Sequence, residues 1–98
     1  MNNAEVQNAP FFSIVIPTYN REKCILNTLD TVFSQTFRDY EVIVVDNCST
    51  DQTELVLSEF ISSGKIKFIK HDKNYERAKS RNTGMKAARG NFLTFLDS

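Results

Sequence analysis

Four short apolar runs alternate with three stretches of helical periodicity along this chain of 98 residues. Phe12-Ser13-Ile14-Val15-Ile16 is a β-branched run, and Pro17, which has no backbone N–H, is expected to end it. Glu41-Val42-Ile43-Val44-Val45-Asp46 is apolar at consecutive positions, as suits a strand buried on both faces of a parallel sheet. Ile66-Lys67-Phe68-Ile69-Lys70 carries lysines, as an edge strand does. Asn91-Phe92-Leu93-Thr94-Phe95-Leu96 forms the fourth run.

The first helix is predicted over roughly Lys23 to Gln35, with Ile25, Leu26, Leu29, Val32 and Phe33 on one side. The second opens at Ser49-Thr50-Asp51-Gln52, with Ser49 as cap and Gln52 at capping-box distance. It runs to about Ser62 and buries Leu55, Val56 and Phe60, with Gly64 as its stop. The third covers roughly Arg77 to Arg89, and Gly90 fits its C′ position. Gly84 lies inside that helix at a cost of up to about 1 kcal/mol relative to Ala, so close approach to the sheet is expected there. The order is βαβαβαβ. Right-handed crossovers then give an α/β fold, an open doubly wound parallel sheet with helices on both faces. Lysines on the third strand place it at an edge and suggest the order 3-2-1-4. Ligands in such sheets bind beyond the carboxyl ends of the strands where the order reverses, here between strands 1 and 4.

Composition narrows the classes. Twelve basic and twelve acidic residues cancel, so no global field draws the chain to nucleic acid or an anionic membrane. Met1 to Pro10 reads as a disordered leader, with the domain proper from 11 to 98. The first eleven residues hold no signal-peptide pattern, and no stretch approaches the roughly 20 apolar residues of a membrane span. A cytoplasmic location is expected, with a membrane-peripheral place for a longer parent left open. Cys24 and Cys48 are too few for a disulfide framework and read as reduced thiols.

The candidate chemistry sits on the predicted rim. Pro17-Thr18-Tyr19-Asn20-Arg21 is a polar loop ahead of a helix, whose free N–H groups suit phosphate. Tyr19 can stack on a base; Thr18 and Asn20 either hydrogen-bond it or shape the turn. Asp46, at the top of strand 2, is placed for a ribose or base edge and has no evident capping duty, whereas Asp51 reads as a helix-start acid. Arg77, Lys79, Arg81, Lys86 and Arg89 make a basic segment, mostly a solvated face. Arg81, with Asn82, Gly84 and Met85, is expected to look inward, toward either a diphosphate or a structural ion pair. His71 has no second metal ligand nearby and reads as structural. Asp97 brings one carboxylate to the rim next to the last residue, and that position is expected to be a cut end.

Ser13-Ile14-Val15-Ile16-Pro17-Thr18-Tyr19-Asn20, the Ser34-Gln35-Thr36-Phe37 helix ending and Glu41 to Asp51 follow one another in a familiar order. So do Asn74, Ala78, Arg81-Asn82-Thr83-Gly84, Ala88, Gly90 and Phe95-Leu96-Asp97-Ser98. Together they resemble the family-2 glycosyltransferases of GT-A fold across nearly the whole chain from Phe12. The resemblance implies transfer of a sugar, with inversion, from a nucleotide-diphosphate donor to a glycan, polysaccharide or lipid-linked acceptor. Pro17, Thr18 and Tyr19 would hold base and ribose, Asp46 and Asn47 would sit at the base, and Asp97 would begin the acidic motif. A second acid, the one reaching Mg²⁺ or Mn²⁺, would follow Ser98, and the general base would lie further downstream. The isolated chain is therefore expected to be inactive.

Two departures from the family pattern stand out. Asn47 occupies a place where many relatives have a second Asp, which accepts the base N3–H in uridine-using members; an amide can accept or donate. Tyr75-Glu76-Arg77 lacks the small residues often found there. Other classes fit less well. A receiver needs an acidic pair after strand 1, and a nucleotidyltransferase a glycine-rich loop; Pro17-Thr18-Tyr19-Asn20 supplies neither. The remaining alternative is a non-catalytic nucleotide-binding fragment, or one that self-associates through an exposed sheet edge or face.

Overall fold

The computed structural model describes residues 9–98, so the expected leader lies outside the described residues apart from Ala9 and Pro10. Four strands, β1 (Phe12–Thr18), β2 (Tyr40–Asp46), β3 (Lys67–Lys70) and β4 (Phe92–Phe95), alternate with helices. The helices are α1 (Ile25–Phe33), the short pair α2 (Thr53–Val56) and α3 (Ser58–Ser62), and α4 (Arg77–Ala87). All strand pairs are parallel and the order is β3-β2-β1-β4, as the lysine-bearing edge strand implied.

Residue alternation along the two central strands divides the core. Ile16, Val42 and Val44 face α1 and α2–α3, where Ile25, Leu29, Val32 and Leu57 are buried against them. Val15, Ile43 and Val45 point the other way, with Ala87 and Ala88 from the end of α4 packed on them. The sheet is thus covered on both faces, at about 1.5–3 kcal/mol for each fully buried Val, Leu or Ile side chain.

Pro17 does not end the first strand; it pairs with Val45 and Thr18 pairs with Asp46. Backbone groups of alternate residues in a parallel strand face opposite neighbours. The Thr18 carbonyl accepts from Asn47 N–H on the β2 side at 2.8 Å, and the Val15 carbonyl accepts from Leu96 N–H on the β4 side at 3.0 Å. Pro17 shares the orientation of Val15, toward β4, which has ended at Phe95. Its missing N–H therefore costs no ladder bond.

Other differences have equally local causes. The second helix breaks at Leu57, which takes the buried place expected of Leu55, while Leu55 is 64% exposed. Leu26 also faces solvent, because Ile25, Leu29 and Val32 already fill the α1 contact. Gly84 closes α4 onto the sheet as expected: a Cβ there would lie 2.3 Å from Val15 Cγ1. Gly90 is not a helix C′ residue, since the chain leaves α4 through extended Ala88. It is small because a Cβ would sit 2.7 Å from the Phe12 carbonyl carbon and the Ser13 nitrogen.

One carboxylate fastens the end of the sheet away from the loops. Glu41 Oε2 accepts from Ser13 Oγ and from Arg89 N–H, both at 2.6 Å, and Lys67 Nζ lies 3.0 Å from Oε1. Burial opposes ionisation of Glu41, but these donors outweigh it and hold the pKa below its ordinary 4.5. Ser13 Oγ also accepts from Gly90 N–H, so this one cluster joins β1, β2, β3 and the entry to β4.

Two stability measurements follow. Gly84→Ala gains helix propensity but forces Val15, a stiff β-branched residue, out of place; a net loss of about 1–2 kcal/mol is expected in urea unfolding. A folded-state pKa lowered from its unfolded value gives stability that is present above the unfolded value and lost as pH falls through the folded one. Wild type should therefore lose stability relative to Glu41→Gln as pH drops from about 5 through the acid range, and parallel pH–stability curves would refute this role.

Candidate functional site

A cleft of about 440 Å³ opens beyond the carboxyl ends of β1 and β4, at the reversal of strand order. That volume lies within the usual range of small-molecule sites. Its walls combine Pro17, Thr18, Tyr19 and Arg21 after β1 with Asn47 after β2. Asn74 and Tyr75 ahead of α4, Arg77, Ser80 and Arg81 on α4, and Asp97 with Ser98 after β4 complete them. Tyr19 is 39% exposed and its ring is free to stack, whereas Thr18 is buried with its hydroxyl turned back on the Ile16 carbonyl.

Two of the expected site residues do not line the cleft. Asn20 stands at φ 52, and its Oδ1 accepts from Thr50 N–H at 2.8 Å and Asp51 N–H at 3.3 Å. Asp46 is fully buried and does have a capping duty: it accepts from Ser49 N–H at 2.9 Å and from the Ser49 hydroxyl. Ser49 Oγ in turn accepts from Asn20 N–H, so it ties two loops together instead of capping a helix. Asp51 takes the helix-start role, accepting from Thr53 N–H and from Glu22 N–H. The side chains of Asn20 and Asp46 thus set the shape of the rim from beneath.

Asn47 reaches the cleft wall with its amide already committed. Nδ2 donates to Asn74 Oδ1 at 3.1 Å and to the Tyr75 carbonyl at 2.7 Å, while Oδ1 accepts from Tyr75 N–H at 3.0 Å. His71 Nδ1 lies 2.9 Å from the same Oδ1. Asn47 thus lines the cleft as expected, and its amide also holds the loop that contributes Asn74 and Tyr75. The Tyr75 hydroxyl donates to Asp72 Oδ1 at 2.6 Å, which raises the phenol pKa above 10.0 and lowers that of Asp72 below 3.8.

Positive charge gathers on one side. Arg77 and Arg81, four residues apart, share a face of α4, and Arg81 lies 5.0 Å over the Phe95 ring. Arg21 joins them from the β1 loop and donates from Nε to the Ser98 carbonyl at 3.2 Å. Among the described residues the side-chain ion pairs are Lys67–Glu41 and Lys70–Glu54, so none of these three guanidiniums is paired to a side-chain carboxylate. Arg81, Asn82 and Met85, expected to look inward, differ: Arg81 and Met85 are exposed, Arg81 at the cleft, and Asn82 is exposed too; the buried face of α4 is Ser80 and Gly84. Arg21 was expected on the rim without a role of its own, and Arg77 was expected only as part of the solvated face, although the four-residue spacing of Arg77 and Arg81 already placed them together. Among the described residues Asp97 brings the sole side-chain carboxylate to the cleft lining. No group of three or more His, Cys, Asp or Glu that could hold a metal occurs among the described residues.

The model of glycosyl transferase family 2 matches residues 13–98. The chain belongs to that family. Its relatives include the chondroitin synthase of Escherichia coli, 44% identical over 87 residues, which cover 87% of this chain and 13% of the synthase. The Staphylococcus aureus protein TarS, a poly(ribitol-phosphate) beta-N-acetylglucosaminyltransferase, has been solved in complex with UDP. That structure superposes with a TM-score of 0.83 at 38% identity, covering 90% of this chain and 27% of the other. The mannosyltransferase PcManGT of Pyrobaculum calidifontis, solved with GDP-Man and Mn2+, gives 0.82 at 26% identity with the same coverage. The family-2 chain thus spans about a quarter or less of each of these proteins, and it shares with them the GT-A Rossmann-like fold.

The committed amide of Asn47 gives a direct test. Asn47→Asp removes two donors and sets a carboxylate against the Tyr75 carbonyl, which should cost about 1–3 kcal/mol in chemical denaturation. A variant as stable as wild type would show that the amide network is not needed.

Proposed function

We propose that this chain forms the donor-nucleotide pocket of a glycosyltransferase that moves a sugar, with inversion, from a nucleotide-diphosphate sugar to a glycan, polysaccharide or lipid-linked acceptor. The observation that carries the reading is the cluster of Arg21, Arg77 and Arg81, without a side-chain acid partner among the described residues, in a cleft at the switch point of a family-2 fold. A diphosphate brings the charge those guanidiniums lack, and each can grip it through paired N–H donors. Tyr19 offers a face for the base beside Pro17 and Thr18, while Asn20, Asp46 and Asn47 hold the loops that present them. The complexes of TarS with UDP and of PcManGT with GDP-Man, both of this fold, support a nucleotide as ligand.

A divalent cation, Mg²⁺ or Mn²⁺, fits this site in part. Asp97 is one carboxylate on the wall, and cations bound to phosphates take one or two carboxylates with the phosphate oxygens. Such an ion supplies Lewis-acid stabilisation of the departing nucleotide, and Asp97 is the residue here that would hold it. The proposal extends to a cytoplasmic or membrane-peripheral location and to self-association through the open β4 edge, checked by cell fractionation and light scattering. No helix among the described residues is long and apolar enough to cross a membrane.

Calorimetric titration with UDP, TDP and GDP, with and without Mn²⁺, tests the pocket. At least one nucleotide should bind, and Arg77→Ala and Arg81→Ala should each weaken it about tenfold or more, the scale of a lost charge-assisted hydrogen bond. Silence toward all three would end the reading.

A further inference from the structure

His71, the single histidine of the chain, is buried behind the cleft wall, and the proposed donor chemistry does not use it. Both ring nitrogens are occupied: Nδ1 lies 2.9 Å from Asn47 Oδ1, and Nε2 lies 2.9 Å from Thr83 Oγ1. The ring stands edge-on to Tyr75 with centroids 5.2 Å apart.

The backbone of Tyr75 decides which tautomer this is. Its N–H donates to one end of the Asn47 amide and its carbonyl accepts from the other. Turning that amide over would set donor against donor and acceptor against acceptor, so the end facing His71 is the oxygen. Oxygen cannot donate, and His71 Nδ1 must therefore carry the proton. Thr83 leaves the choice free on the other side. Its hydroxyl also lies 2.9 Å from the Lys79 carbonyl, so it can donate to Nε2 or accept from it.

We infer that His71, held with its proton on Nδ1, is a positioning residue for the donor nucleotide. It acts through Asn47 to fix the Asn74–Tyr75 wall of the cleft and the start of the helix that carries Arg77 and Arg81. The inference rests on the donor-pocket reading for its nucleotide consequence alone. Asn47 Oδ1 takes two donors, Tyr75 N–H from the loop and His71 Nδ1 from the end of β3, so the amide that holds the wall is itself held by the sheet. His71 N–H, 2.8 Å from the Asp46 carbonyl, anchors the histidine itself to β2.

A lone histidine makes the test unambiguous. Long-range ¹H–¹⁵N NMR of the wild-type chain should show Nδ1 protonated and Nε2 bare at a pH where the ring is neutral; the opposite tautomer overturns the inference. Two variants divide the ring's roles. His71→Asn keeps a donor near the Nδ1 position, whereas His71→Gln keeps a polar group toward Thr83 and loses the donor to Asn47. His71→Gln should speed Tyr75 amide exchange about tenfold and weaken the nucleotide at least threefold, while His71→Asn stays within twofold of wild type. If both variants merely lower the melting temperature alike, with Tyr75 exchange and affinity unchanged, His71 is structural and the inference fails. A wild-type chain blind to UDP, TDP and GDP removes the donor pocket and with it the nucleotide consequence. In that case the tautomer and Tyr75 exchange still decide whether His71 fixes the wall.

Discussion

Parallel pairing of β1 with β2 sets the height at which the three rim-forming strands stop. The ladder runs from Phe12 opposite Tyr40 to Thr18 opposite Asp46, and Asn47 N–H adds one more bond to the Thr18 carbonyl. β3 is in register with the same end, Lys70 opposite Asp46, and His71 N–H reaches the Asp46 carbonyl. Three strands therefore end nearly level, and the loops that leave them have no choice but to meet. A shift of one residue in this pairing would exchange the two faces of β2, taking Val42 and Val44 off the α1 side and Ile43 and Val45 off the α4 side. Core burial thus enforces the register, and the register assembles the rim.

Within that rim, polar side chains divide into those that satisfy one another and those left over. Asn20, Asp46, Ser49, Asp51 and Asn47 spend their hydrogen bonds on neighbouring loops, and no buried polar side-chain atom among the described residues lacks a partner. Loop backbones so close to the core must be satisfied in this way, because an unpaired buried group costs about 1–3 kcal/mol. The groups still available to a ligand stand further out: the ring of Tyr19, the guanidiniums of Arg21, Arg77 and Arg81, and the carboxylate of Asp97. Local loop order and ligand chemistry are assigned to different residues of the same short motifs.

This division explains how far the sequence could be read. Element order, strand order and the close approach of Gly84 followed from apolar periodicity, lysine placement and a glycine inside a helix, all of them local patterns. The place of the cleft followed from topology. What escaped was decided by partners distant in the chain. Asp46 seemed idle because its partner, Ser49, had been assigned to a cap; Leu55 lost its buried place when the helix broke at Leu57. Pro17 was tolerated because β4 stops before reaching it, which no property of the first strand alone reveals. Arg77 was taken for solvated surface, since a charge run on a helix says nothing about which members overhang a cleft.

The two departures from the family pattern, Asn47 and the bulky Tyr75-Glu76-Arg77 segment, start 28 positions apart in the chain but touch in the fold. Tyr75 presents both its N–H and its carbonyl to the Asn47 side chain. Only a group with a donor at one end and an acceptor at the other can answer both, and an amide is that group. A carboxylate at position 47 would meet the Tyr75 carbonyl with a second acceptor, and the loop would have to turn away. The amide and the loop conformation therefore depend on each other. Asn47 belongs with the architecture of the wall as much as with its lining.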